Sequence, residues 1–218
     1  MQKMQICYNL WLNRGKMLPE ISAKAWFGIA SIIIGIIGYV PYFVGLYQKK
    51  LKPHVFTWFL WGFLMAIVWL GQMQANAGAG AWITGMSAFF CLVIAVVALK
   101  IGDKDITRSD WICFIAGLLG IPIWYFTKDP LYAILFLTLI DCIAFIPTLR
   151  KLWSNPSGES ALSYAITLCK FVISILAIRE FNLATVIYPA ALIVMNVILV
   201  SSILLRHKAI AKTMPLAD

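Results

Sequence analysis

Residues Gly38 to Trp61 read GYVPYFVGLYQKKLKPHVFTWFLW, and residues Ala144 to Tyr164 read AFIPTLRKLWSNPSGESALSY. Each stretch leaves an apolar run through a proline, crosses a short basic loop, and passes a second proline into an aromatic-bearing run. Pro41 stands opposite Pro147, Pro53 opposite Pro156, and Trp61 opposite Tyr164. The copies lie about 105 residues apart, which marks a duplicated unit.

Working outward, the chain of 218 residues is 62% hydrophobic and 12% charged. A soluble domain averages about 45–50% apolar and about 25% charged residues. Too little polar surface is available here to face water, and long apolar runs recur, so the class is an all-α polytopic membrane protein. The formal charge of +9 does not indicate nucleic acid, because nearly every Lys and Arg falls in a loop, as the positive-inside rule requires. Cys91, Cys113, Cys142 and Cys169 lie inside apolar runs and no CxxC occurs, so a disulfide framework or a metal site is not expected.

Seven apolar segments are expected as spanning helices: Trp26–Tyr47, Val55–Met73, Ala81–Ile101, Trp111–Thr127, Leu131–Leu149, Ala161–Ile178 and Thr185–Leu205. The fourth is the shortest and carries Gly117, Gly120 and Pro122, the mark of a linker helix whose backbone breaks are satisfied by neighbours. The residues before them, 1–25, are polar and mixed and do not match a signal peptide; Met17 is a second candidate start.

An odd number of spans puts the termini on opposite sides. One side carries Lys3, Arg14, Lys16, Lys24, Lys128 and Arg179. The other carries Lys49, Lys50, Lys52, Lys100, Lys104, Arg108, Arg150, Lys151, Arg206, Lys208 and Lys212. The ratio is 6 to 11, or 3 to 11 from Met17 onward, so the second side is expected to be cytoplasmic and the N-terminus outside. The organisation is then a polar segment (1–25), a first triple-helix bundle (26–101), a linker helix (102–130), a second triple-helix bundle (131–205) and a cytoplasmic tail (206–218). A single linking span gives both bundles the same orientation, a parallel repeat related by an axis along the membrane normal. Such repeats hold their substrate near the midplane between them.

With this 3+1+3 layout, the paired Pro41 and Pro147, the basic loops after them and the outside-to-inside topology, residues 26–205 resemble the PQ-loop and SWEET superfamily. Tyr42 and Thr148 follow the prolines where the PQ loop has Gln. The resemblance implies two triple-helix bundles around a central route, with alternating access and the prolines as bending points. It implies a small polar solute as cargo: a sugar, an amino acid or a vitamin-like metabolite. A similar branch instead binds peptide signals as a receptor. The family's paired pocket asparagines fall by spacing near Thr84 and Pro189.

Two charges lie within the expected hydrocarbon, Asp141 in the fifth segment and Lys170 in the sixth, with Asn196 at the middle of the seventh. A charge at the bilayer centre costs about 2.5–3.5 kcal/mol on insertion scales, so each requires a partner or a wet cavity. Their counterparts in the first repeat, Gly35, Ile67 and Leu92, are small or apolar. Two readings follow. Asp141 and Lys170 form a structural ion pair clasped by Asn196. Alternatively the group faces the route, with Asp141 as a proton or cation site, Lys170 as its counter-charge and Asn196 bonding the substrate. Proton coupling needs an acid whose proton affinity changes when a neighbouring charge moves.

Trp58, Trp61 and Trp69 share one face of the second segment within about 80°. Trp58 suits the interfacial belt. Trp69, Trp61 and Tyr164 are candidates for substrate contact, beside the plainer reading as packing or belt residues. Pro41 and Pro147 each remove a helical hydrogen bond and are candidate hinges. Glu159 and Ser160 open the sixth segment beside Pro156, where an acidic residue suits the helix dipole. His54 reads as a loop residue. No HExxH, GxSxG, Walker or Cys/His pattern occurs, so neither an enzyme nor a cofactor is expected. The expected function is transport of a small polar solute across a cell (inner) membrane, with possible proton coupling. The alternative is a non-transporting receptor or sensor. Seven spans contain both bundles, so an oligomer is not required, and the partners expected are the solute and the lipid bilayer.

Overall fold

The structure, a computed structural model, describes residues 22–49, 53, 55–101, 108–154 and 161–213. Most of the polar N-terminal segment lies outside the described residues, as do Lys50, Lys52, His54, Lys104, Pro156, Glu159 and Ser160.

Among the described residues all regular structure is helical. The helices are α1 (Ala23–Tyr47), α2 (Val55–Gln74), α3 (Trp82–Ile101, entered through a 3-10 turn at Gly78–Ala81), α4a (Arg108–Leu118), α4b (Gly120–Thr127), α5 (Pro130–Ser154), α6 (Ala161–Leu176) and α7 (Leu183–Thr213). Local chemistry sets several starts. Ser22 accepts from the Ala25 amide at the head of α1. Asp129 accepts from the Leu131 amide, with Pro130 at the first helical position of α5. Asn182 and Thr185 exchange side-chain and backbone bonds of 3.0 and 3.1 Å at the head of α7, a reciprocal cap.

Among the described residues, four of the expected spans are long and apolar enough to cross a membrane: Ala23–Tyr47, Val55–Gln74, Gly78–Ile101 and Leu183–Arg206. The other three contribute shorter apolar stretches, Phe114–Thr127, Pro130–Ile143 and Ala161–Leu176. The fifth nevertheless forms one continuous helix of 25 residues, Pro130–Ser154, whereas the fourth is broken and the sixth is shorter than expected. The fourth segment is interrupted at Leu119 because Pro122 has no amide to offer Leu118 and its ring crowds that carbonyl. The sixth ends at Leu176 rather than Ile178, and at roughly 1.5 Å per residue it falls short of a hydrocarbon layer about 30 Å thick.

Packing follows a repeated pattern. α3 lies along α2 and touches α1; α7 lies along α6 and α5. Between these groups α1 packs on α6 and α2 on α5, while α4a and α4b rest against α2 and α5. The core is drawn from Leu64, Val68, Ile83, Ile134, Leu137, Phe171 and Tyr188. α1 turns its small residues inward: Gly28, Ser31 and Gly35 are buried, while Ile33, Ile36, Ile37 and Val40 face outward. This inversion suits a helix whose outer surface meets lipid and whose inner surface allows close approach.

At one end of the molecule the α2–α3 and α6–α7 connections are joined. The Arg179 amide donates to the Ala77 carbonyl over 2.9 Å and the Glu180 amide to the Asn76 carbonyl over 3.3 Å. The Asn182 side chain donates to the Ala75 carbonyl, and the Asn76 side chain to the Glu180 carboxylate. Lys24 of α1 ties down the α6–α7 connection, donating to the Ile178 and Arg179 carbonyls at 2.8 and 3.1 Å. Asn76 and Gly78 take positive φ of 62° and 59° so that the α2–α3 chain can turn against its neighbour. We call this the clasp end.

Candidate functional site

Asp141 on α5 is 8% exposed and Lys170 on α6 is 7% exposed. Charges this deep in a membrane protein need partners, and each has its own. Asp141 Oδ2 accepts a 3.0 Å hydrogen bond from the Tyr188 hydroxyl on α7. Lys170 Nζ donates over 3.2 Å to Ser87 Oγ on α3. The same ammonium sits 5.2 Å from the ring centroid of Tyr39 on α1 and 5.2 Å from that of Phe171. Aromatic faces attract a cation through their quadrupole. Among the described residues Asp141 and Lys170 therefore do not form the expected ion pair.

Helix geometry explains the outcome. Side chains on a helix lean toward its N-terminus. The stem of Lys170 accordingly passes Gly35 of α1, where an added Cβ would lie 3.6 Å from Lys170 Cδ, and the head reaches Tyr39 one turn farther along. Tyr39 continues the cluster, its hydroxyl 3.8 Å from the Cys91 thiol, which lies within electrostatic reach of both Lys170 and Asp141. Phe171 and Tyr188 meet edge to face at 6.4 Å. The result is a polar interior cluster fed by α1, α3, α5, α6 and α7. Asn196 is 1% exposed and bonds back to the Leu192 carbonyl of its own helix at 2.7 Å, so it joins neither charge directly.

The aromatic candidates are placed elsewhere. A Cβ on Gly85 would fall 2.8 Å from Trp69 Nε1, so Trp69 packs flat between α2 and α3. Trp61 lies edge-on to Trp58 at 5.5 Å, and Trp58 meets Tyr42 at 4.8 Å, a row of rings toward the end opposite the clasp. Tyr164 packs against Leu199 and Ile203 of α7. Thr84 is buried, and its hydroxyl has no hydrogen-bond partner among the described residues. α1 runs on through exposed Pro41, and α5 through Pro147, whose side chain lies outside the described residues.

Tyr188, Ser87, Tyr39 and Phe171 complete the charged cluster and were not singled out from the sequence. Two signals were available: Ser87 is one of two hydroxyls, with Thr84, within an apolar run, and Tyr188 immediately precedes a proline, Pro189, itself buried inside α7. Among the described residues no group of three His, Cys, Asp or Glu converges on a metal position. In comparisons with family models, with curated proteins and with solved structures, the chain gives no match.

Proposed function

We propose that the chain is an alternating-access transporter of a small polar solute, built as two three-helix bundles, α1–α3 and α5–α7, joined by the broken α4. The observation that carries this reading is the buried cluster in which Asp141 and Lys170 are each held by neutral partners rather than by each other. A fixed ion pair would serve stability alone. Two separately held charges in a membrane interior are each free to exchange their partner for a solute or a proton.

The helix neighbours support the two-bundle arrangement. In each trio the third helix packs on the first and second, and across the trios α1 meets α6 as α5 meets α2. This is what an axis along the membrane normal would generate. The clasp ties the two trios together at one end of the molecule. Exposed Lys49, Lys100 and Arg108 lie at the other end, which the positive-inside rule assigns to the cytoplasm of an inner-membrane protein.

The test is flux into proteoliposomes, at two pH values, for the wild type and Asp141→Asn. Asn keeps an acceptor for the Tyr188 hydroxyl while removing the charge, so the variant is expected to fold, to lose uptake, and to lose pH dependence. Folded Asp141→Asn with normal flux at both pH values overturns the proton role. Ligand binding without flux in the wild type replaces the transporter with a receptor of the same fold.

A further inference from the structure

Lys170 belongs to the second trio of helices, yet most of its shell belongs to the first. Ser87 comes from α3 and Tyr39 from α1; only Phe171 is its own neighbour on α6. Ser87 is fully buried, and the lysine stem passes Gly35 at ordinary contact distance, 3.6 Å from where a Cβ would stand. The contact is therefore a bond between trios, made near the middle of the helices and independent of the clasp.

An ammonium carries three N–H donors. Ser87 takes one, and the two ring faces balance charge without offering strong acceptor lone pairs. Asp141 is engaged by Tyr188 and does not neutralise the lysine. Among the described residues the cation is thus held by neutral groups only, and a charged acceptor would bind it roughly twice as strongly as a neutral one.

We propose that Lys170 is a latch between the two trios, opened by a carboxylate on the transported solute, which takes the ammonium from Ser87 and Tyr39. The inference rests on the transporter reading and names the class of its substrate. A single ammonium balances a single negative charge. A monocarboxylate fits, whereas a dianionic phosphate monoester would carry uncompensated charge into a low-dielectric site. The solute favours the unlatched arrangement because only there does it replace the neutral partners, the differential affinity that any ligand-driven rearrangement requires. Ser87 and Tyr39 are positioning residues: they hold the lysine until the solute arrives.

The experiment uses the full chain in proteoliposomes with lactate, alanine, glucose and glycerol phosphate as probes, beside thermal shifts with the same four compounds in detergent. Lactate or alanine is expected to move and to stabilise the protein, with glucose and glycerol phosphate inert. Ser87→Ala is expected to lower the apparent KM for the carboxylate by about tenfold, because the solute no longer displaces a hydrogen bond to a charged group. Lys170→Met is expected to cut carboxylate uptake by about tenfold or more, and Lys170→Arg to retain part of it. A merely structural lysine would leave KM unchanged in Ser87→Ala. Uptake of glucose with carboxylates ignored overturns the latch and leaves the transporter standing. Carboxylate binding without flux keeps the site and overturns transport. A wild type neither crossed nor stabilised by either carboxylate overturns the latch. If Lys170→Met fails to fold, the Ser87→Ala shift and the wild-type selectivity still decide.

Discussion

Tyr188 gives Asp141 a hydrogen bond from a helix 47 residues farther along the chain. Removing the hydroxyl leaves a buried carboxyl without that donor, and bonds to charged groups are worth about 1.5–3 kcal/mol. Tyr188→Phe is therefore expected to lower unfolding stability in detergent by about that amount, read from a denaturant titration. A loss under roughly 0.5 kcal/mol would mean that Asp141 draws on another donor. The sequence did disclose the two buried charges, since ionisable residues inside apolar runs stand out by themselves. Their partners did not stand out. Comparing like depths in the two repeats leads to Gly35, and the stem of Lys170 does pass Gly35, but its head sits a turn farther on at Tyr39. Tyr188 and Ser87 look like ordinary helix residues until folding brings them to a charge.

At the level of elements, α1 carries a stripe at Gly28, Ser31, Gly35 and Gly38, spaced by three and four residues so that all four share one face. A Cβ at Gly28 would stand 2.8 Å from the Ala79 Cβ and 3.0 Å from its carbonyl oxygen, and neither can swing aside. Gly28→Ala is expected to destabilise the protein by about 1–3 kcal/mol through that overlap. Unchanged thermal stability would show that α1 can slide away from the 3-10 turn. The stripe was present in the run GIASIIIGIIG, and it announces close helix approach without naming the partner. Segment positions were legible because apolar runs of this length have few alternatives. The interruption at Leu119 was signalled by Pro122. The far ends of α5 and α7, at Ser154 and Thr213, run past the apolar limits expected at Leu149 and Leu205, because a helix continues into polar sequence wherever its backbone bonds are still satisfied.

For the whole molecule, alternation of helix direction puts Lys128 and Arg179 at the clasp end and Lys49 and Lys100 at the other. In intact cells, a membrane-impermeant thiol reagent is expected to label Lys128→Cys, which is exposed at the clasp end, and to reach Lys49→Cys only after permeabilisation. The reverse pattern would invert the molecule in its membrane. Cys91 is buried in the interior cluster, but Cys169 is exposed and Cys142 half-buried, so the labelling is run with the native cysteines replaced by alanine. How the trios meet was only half readable. The duplication predicts an axis, but which helix of one copy faces which of the other depends on surfaces such as the α1–α6 crossing, where Gly38 admits Ile166.

Among the described residues, the clasp alone joins two distant connections through main-chain hydrogen bonds. Two of its bonds, Arg179 to Ala77 and Glu180 to Asn76, run between main-chain atoms, which every amino acid except proline can supply. Side-chain changes at Ala77, Arg179 and Glu180 therefore leave that part of the seal intact, whereas Asn76 and Gly78 stay bound to their positive φ. What cannot vary is the count of residues in either loop: one insertion shifts donors away from acceptors. Heredity at this end is written in spacing rather than in spelling.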